Sequence, residues 1–398
     1  MKYIYLLLPI LAAGATSCLG DGNETLVFTD ETPQTQPEPT EADNLKIPDD
    51  ASASEAPEIK DDEINTEIPN STAIVVTKGA YGYIPMSGLK SKDGNWLLLK
   101  GTGEDGQNTW LTIDGDPKGV DLIETKSAWT QNAFLTPTDL VFLINNSSSM
   151  AEEVNVLVDG ISEWVDRVTN QGIDLRTGFV SYDEGQFSIN GASDLTEPAD
   201  IINYLHRDGS TGTARTSGFT GSAAQKLEEV SHMDDYINDY SNECEVLALR
   251  FAHDRFDFRP ISNRIYINLT DEPNQPGGRA KWSVDVLRPQ NGFWMPSYGT
   301  VYCVYSGNTD FTVVPQITEQ PWLMAEYTGG IAQFCPPDFA GVSLLTLEAT
   351  QAITHSHLIR FRTTDAYNDD KTHTVKITVA TPDGTFAEKT MQMTFVKE

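Results

Sequence analysis

The chain has 398 residues, 39% of them hydrophobic, and its 58 acidic against 27 basic residues leave a formal net charge of −31. That length suits two or three domains, and the apolar fraction supports a real core. Such an excess of carboxylates repels phosphate backbones, which argues against nucleic-acid binding and for a well-solvated exported protein.

The N-terminus reads as an address. Met1-Lys2, the apolar stretch Tyr3–Ala13 and the small residues Gly14-Ala15-Thr16-Ser17 make a secretory signal of residues 1–17. The apolar stretch is short for a membrane span. Ala15-Thr16-Ser17-Cys18 resembles a bacterial lipobox, with Ala where Leu is usual. The resemblance implies cleavage before Cys18 and lipidation (palmitate or a similar acyl group) of that cysteine. More than one acyl chain gives stable anchoring. Cys244, Cys303 and Cys335 remain, and an exported protein permits a disulfide among them without specifying one.

With Cys18, residues 19–70 read as an acidic tether. Residues 19–70 hold six prolines, fifteen acidic residues and two lysines, so they cannot bury enough surface to offset chain entropy. Asp21 and Glu24 just after the lipobox resemble the acidic start of surface lipoproteins of the Bacteroidota. That implies a lipid-anchored protein on the outer face of the outer membrane.

Residues 71–136 predict β structure: a strand at Ala73–Val76, turns around Gly79–Tyr83 and Ser91–Gly94, then strands at Asn95–Lys100, Thr109–Ile113 and Val120–Thr125. This is too few residues for a complete sandwich of ~100. Residues 355–398 supply more strands, at His357–Arg362, Thr372–Ala380 and Ala387–Val396. The expectation is one β-sandwich-like domain, 71–136 plus 355–398, split by the insertion of residues 137–354.

Within 137–354 strands and helices alternate, which predicts an α/β fold: a doubly wound, mostly parallel sheet flanked by helices. Leu140–Ile144 is a continuous apolar run, the mark of a strand buried on both faces. A helix follows to about Asn170, with Val154, Leu157, Val158, Ile161, Val165 and Val168 on one stripe. Leu175–Tyr182 is the next strand, and Phe187–Ile189 a short edge strand. Helices are predicted over Pro198–Leu205, Ser222–Tyr240, Glu243–Phe256 and Ser343–Ile353. Strands are predicted at Arg264–Asp271, Gly299–Ser306 and Ile331–Phe334.

Between the first strand and its helix stands Asn145-Asn146-Ser147-Ser148-Ser149. Side chains at Asn145, Ser147 and Ser149 fall at alternate positions of one tight loop. In open α/β sheets ligands sit beyond the carboxyl ends of the strands, at the switch point. This stretch resembles the Asp-x-Ser-x-Ser metal loop of the von Willebrand factor type A family, with Asn145 in place of the leading Asp. Two further stretches match in order: Asn268-Leu269-Thr270-Asp271 and Ala325-Glu326-Tyr327-Thr328-Gly329-Gly330. Phe258-Arg259-Pro260 with Asn263-Arg264 resembles the family's lead into its second motif.

The resemblance implies a hard-cation site, Mg²⁺ with Ca²⁺ or Mn²⁺ as alternatives, made by Asn145, Ser147, Ser149 and Asp271. For a third ligand position it offers two candidates, Thr220 from the Gly-rich stretch Gly218–Gly221 or Glu243 before a helix. An amide at 145 brings no charge and weakens a divalent site relative to a carboxylate.

What the resemblance implies is a surface-anchored adhesion or binding lipoprotein. Its partner is a protein or matrix ligand presenting an acidic residue to the metal. The alternative is a non-catalytic envelope scaffold or assembly subunit with a degenerate metal site. An enzyme is not expected. The sequence has no His-Glu-x-x-His, no phosphate loop and no Gly-x-Ser-x-Gly. His355 and His357, two apart, read as exposed surface residues.

Overall fold

A computed structural model of the chain describes residues 47–71, 74–77, 81–124, 137–170, 173–183, 189–231, 243–259, 262–288, 291, 293–339, 343–363 and 371–397. In chain order the elements are β1 (Ile74–Thr77), β2 (Tyr81–Met86), β3 (Thr109–Ile113), β4 (Asp116–Lys118), β5 (Val120–Glu124), β6 (Thr138–Asn145), α1 (Ala151–Asn170), β7 (Leu175–Tyr182), β8 (Ile189–Thr196), α2 (Pro198–Leu205) and β9 (Gly218–Thr220). There follow α3 (Ala224–Ser231), α4 (Glu245–Arg255), β10 (Asn263–Thr270), β11 (Thr300–Tyr305), α5 (Leu323–Thr328), β12 (Ala332–Phe334), α6 (Glu348–Thr354), β13 (His357–Arg362), β14 (Thr372–Ala380) and β15 (Phe386–Lys397). Among the described residues no helix is long and apolar enough to cross a membrane.

The chain forms an α/β fold around a seven-stranded, mostly parallel sheet ordered β12-β11-β10-β6-β7-β8-β9. β6 is central, parallel to both β10 and β7. It is buried along its whole length. Alternation sends Leu140, Phe142 and Ile144 to one face, where they pack with Val154, Leu157, Ile161 and Trp164 of α1. Val141 and Leu143 go to the other, against Val246, Leu249 and Phe251 of α4. A strand with a helix layer on each side has no wet face, which is why its sequence is an unbroken apolar run.

The far edge departs from the sequence reading. β8 runs antiparallel to β7, and β9 pairs with β8. β8 covers Ile189–Thr196 and β9 Gly218–Thr220, where the sequence suggests only a short edge strand ending at 189. The residues of β8, Ile-Asn-Gly-Ala-Ser-Asp-Leu-Thr, are small and polar. Their strand is set by pairing rather than by side-chain propensity.

Two smaller sheets draw strands from both sides of this α/β segment, in the orders β1-β15-β14-β3-β4 and β2-β13-β5. β13, after the segment, lies antiparallel between β2 and β5, both before it. The two sheets share one core of Ile84, Met86, Leu111, Ile359, Phe361, Val375, Ile377 and Phe395. Tyr81–Met86 is a strand where a turn is expected, because β13 pairs along its whole length. Asn95–Lys100 makes only the isolated bridge Lys90–Trp96.

The expected tether is the clearest difference. Residues 19–46 lie outside the described residues, as do the signal and Cys18. Residues 47–70 do not hang free. Arg362 Nε donates to Ile47 O at 3.1 Å and Lys118 Nζ to Asp50 Oδ2 at 2.7 Å. The backbone N–H of Asn65 donates to Phe386 O at 3.0 Å. Ile68 is wholly buried. Beneath it Lys389 Nζ donates to Ile68 O at 2.7 Å and to Asn70 Oδ1 at 2.5 Å. Asn70 Nδ2 in turn donates to Gly299 O at 3.1 Å, beside the large sheet. The segment is held by partners far along the chain, from 68 to more than 300 positions away, which composition does not register.

Candidate functional site

The loop after β6 turns sharply because its side chains satisfy its own backbone. Asn145 Oδ1 accepts from the Ser147 N–H at 2.9 Å. Ser147 then starts a short 3-10 turn, Ser148–Met150, that runs into α1. Asn145 is wholly buried and Ser147 nearly so, while Ser149 is exposed.

Register brings the second segment beside it. Leu269 of β10 pairs with Ile144 of β6, so Thr270 and Asp271 leave the sheet next to Asn145. Glu243, just before α4, completes the cluster, its carbonyl held by the Gln275 N–H at 2.8 Å. Asn145 Nδ2 donates to Glu243 Oε2 at 2.5 Å and Thr270 Oγ1 at 3.2 Å, and faces Asp271 Oδ1 at 3.4 Å. Ser147 Oγ and Ser149 Oγ are 2.8 Å apart. The hydroxyls of Ser147 and Ser149 lie near enough to Glu243 and Asp271 respectively to pull those carboxyls down against burial. Of the sequence candidates, Asn145, Ser147, Ser149, Glu243 and Asp271 therefore meet at one point.

Thr220 does not join them. It pairs with Ser193 in the parallel pair of β8 and β9 at the sheet's edge, while the start of β9 lies nearer the site. The threonine that reaches this loop is Thr216, whose Oγ1 donates to Asn146 Oδ1 at 2.6 Å. Ser217 Oγ accepts from Asn146 Nδ2 at 3.0 Å. The residues just before the Gly-rich stretch thus support the site loop through Asn146, with Thr216 four positions ahead of the Thr220 candidate.

Among the described residues no basic side chain forms a salt bridge with Glu243, Glu245 or Asp271, and burial governs their ionisation. Burial pushes the Glu243 carboxyl up to about 7, against the pull of the Asn145 amide, and the neighbouring Glu272 and Asp271 push the same way. Burial also raises Asp271, with the Ser149 hydroxyl opposing. Below them Glu245 is wholly buried and held well above the usual carboxylate range by burial. Its Oε1 accepts from Thr270 Oγ1 at 3.2 Å, and its Oε2 has no hydrogen-bond partner. Sequence reasoning placed Thr270 in a matching strand end without giving it a role at the site, and missed Glu245. The available signal was an acid opening the otherwise apolar run Glu245-Val246-Leu247-Ala248-Leu249, and a hydroxyl ending the apolar β10.

The donor set suits a hard cation. Neighbouring oxygens around an octahedral Mg²⁺ lie about 2.9 Å apart, and the two serine hydroxyls stand at 2.8 Å. Among the described residues no group of three or more His, Cys, Asp or Glu side chains is placed to hold a metal ion. This cluster instead joins two carboxylates to two hydroxyls.

Outside this cluster, Ser162 Oγ lies 2.6 Å from His206 Nε2, and Arg215 lies 2.9 Å from His206 Nδ1 and 3.4 Å from its Nε2. His357, expected at the surface, is wholly buried and accepts from the Leu99 N–H at 3.2 Å. The three cysteines Cys244, Cys303 and Cys335 are free thiols.

No family model matches the chain. No curated protein matches it either. Among solved structures it is similar to the human COPII-coat protein Sec24c, at 9% identity and TM-score 0.30 over 71% of this chain and 47% of that one. It is also similar to the pilus adhesin SpaC from Lactobacillus rhamnosus GG in an open conformation, at 10% identity and TM-score 0.34 over 83% of this chain and 53% of that one. The chain spans about half the length of these solved chains.

Proposed function

We propose that the chain is a binding protein with a von Willebrand A-type domain, and that it recognises its partner through a divalent cation at the carboxyl edge of the large sheet. The observation that carries this is one cluster of oxygens: the Ser147 and Ser149 hydroxyls, 2.8 Å apart, with the Glu243 and Asp271 carboxylates both facing the Asn145 amide beside them. Ser147, Ser149, Asp271 and Glu243 would hold the ion, Mg²⁺ before Ca²⁺ or Mn²⁺. When bound, the ion offers an open position to a carboxylate from a protein or matrix partner and neutralises Glu243 and Asp271. Asn145 orients the loop through its carbonyl oxygen and lends an N–H to Glu243. This is recognition, not turnover. The lipobox-like Cys18 adds an anchor at the outer membrane surface.

A second reading, a scaffold subunit with a degenerate site, has its own observation. The Asn145 amide already satisfies Glu243 at 2.5 Å, in place of a cation. Calorimetric titration of the chain with MgCl₂ separates the two. Saturable binding that Glu243→Ala and Ser149→Ala abolish supports the metal reading. No binding, by either the natural chain or Asn145→Asp, leaves the scaffold.

A further inference from the structure

We propose that the loop after β11, with the end of β12, is an apolar docking surface for a large hydrophobic side chain on the same partner segment whose acidic residue meets the cation. This deepens the metal-bridged reading and rests on it.

The register of the sheet places the two features on one rim. Thr270 pairs with Tyr305, and Tyr305 with Phe334. Phe334 therefore ends the strand two steps from β10, about 10 Å away at ~4.8 Å per step. Its ring lies 6.2 Å from Tyr305 and 5.3 Å from Trp322, which meets Phe311 at 5.8 Å. Two residues further on is the tip Val313–Ile317. Phe334 is 53% exposed, Val313 46%, Val314 39% and Ile317 53%. Half of the large hydrophobic side chains exposed among the described residues thus belong to this one end of the sheet.

The loop is built on the candidate site. Gly307 passes so close to Asp271 that a Cβ there would stand 1.7 Å from the Asp271 carbonyl oxygen. Asn274 and Glu319 exchange backbone hydrogen bonds at 3.0 and 2.9 Å. This laces the tip to the loop whose Gln275 holds Glu243.

The tip is rigid rather than loose. Glu319, 4% exposed, accepts from Ser283 Oγ at 2.6 Å, the Gln316 N–H at 2.7 Å, the Val284 N–H at 2.8 Å and Asn274 Nδ2 at 3.0 Å. Gln316 sits at φ 62°, a conformation that a residue with a Cβ adopts at a cost. Its carbonyl accepts from the Gly278 N–H at 2.6 Å. A strained, well-braced turn that shows Val313, Val314 and Ile317 to water marks an interaction surface.

Charge selects the occupant. The chain carries −31, and Asp271, Glu272 and Asp310 stand on this rim. A polyacidic partner is repelled. A segment with one carboxylate and uncharged apolar neighbours meets both the ion and the patch. The cation would sit between β6 and β10, two to three strand spacings from Phe334, so at ~3.3 Å per extended residue the gap of roughly 10–15 Å corresponds to about three or four residues. The partner is thus a protein segment with Asp or Glu and, about three or four positions away, Phe, Leu or Ile.

The test uses immobilised Ser/Gly peptides carrying one Asp and one Phe at graded separations, probed with the full chain in Mg²⁺ and in EDTA. Retention should peak near a separation of about three or four and vanish in EDTA. Ile317→Ser and Phe334→Ser should each weaken it about fivefold or more, and both should leave calorimetric Mg²⁺ binding unchanged. Mg²⁺ binding with equal retention at every separation, with retention intact in the double variant, or with no retention up to about 1 mM peptide overturns the docking surface alone. Absence of Mg²⁺ binding overturns the metal reading and this inference together.

Discussion

The two ends of the central sheet treat their buried acids in opposite ways. At the amino end Asp139, fully buried, receives Arg259 Nε at 2.7 Å and the Arg259 backbone N–H at 2.7 Å. The same guanidinium reaches Asp174 Oδ1 and the Thr138 carbonyl. At the carboxyl end Glu243, Glu245 and Asp271 have hydroxyls and one amide, and the groups that surround Glu243 include two more acids. Both clusters sit on β6 and its neighbours, so the difference is not one of burial. A carboxylate with a fixed cationic partner belongs to the fold; a group of them with none among the described residues is where the binding reading proposed above is tested.

The sharpest way to break this comparison is at the amino end. Arg259→Ala strands Asp139 without a counter-charge and should cost about 3–5 kcal/mol, read by denaturant unfolding, with Mg²⁺ affinity unchanged in whatever folds. A next-largest effect is expected from pH. Glu243 sits at about 7 in the fold against 4.5 ordinarily, so the folded state binds the extra proton between those values. Glu243's own contribution is then full near pH 4.5 and is lost as pH rises through 7, by up to about 3 kcal/mol, while His253 and His357, held neutral by burial, move stability the opposite way as pH falls. The readout is the difference in stability between the natural chain and Glu243→Gln from pH 4.5 to 7, which saturating Mg²⁺ should remove. A difference that does not change with pH assigns the proton elsewhere.

Asn145→Asp sharpens the comparison by adding a charge where none is compensated. Without metal it should lose about 1–2 kcal/mol, since Glu243 loses a donor and gains a like charge. With Mg²⁺ it should bind roughly tenfold tighter by calorimetry. An equal loss at saturating Mg²⁺ would place the amide, not the ion, at the centre of the site. The smallest expected effect is at Thr220→Ala, within about 0.5 kcal/mol of the natural chain in both stability and Mg²⁺ affinity. Thr216→Ala, by contrast, should loosen the Asn146 loop and weaken binding, which the same titration reads.

Much of this was legible in the chain. The unbroken apolar run of β6, the heptad-like stripe of α1 and the strand ending in Thr270-Asp271 are local patterns, and their types and limits follow from periodicity. The residue types of the site were legible too, since hydroxyls and carboxylates at strand ends advertise themselves. What failed were features made by distant partners. β8 is a strand because β7 pairs with it. Residues 47–70 read as solvated because their prolines and acids are visible and Arg362, Lys118 and Lys389 are not. Thr220 and Glu243 were equal candidates because one-dimensional spacing cannot tell an edge strand from a central one.

The sequence alone determined the alternation of strand, polar turn and helix, and the inventory of oxygens that any site at the sheet's end would use. Those are properties of neighbours along the chain, governed by side-chain period and backbone preference. Tertiary structure decided which oxygens meet, that the amide of Asn145 turns its N–H toward Glu243, and that an apolar tip stands beside the acids. These depend on register between strands more than a hundred residues apart, where one residue of slip would turn every side chain to the other face.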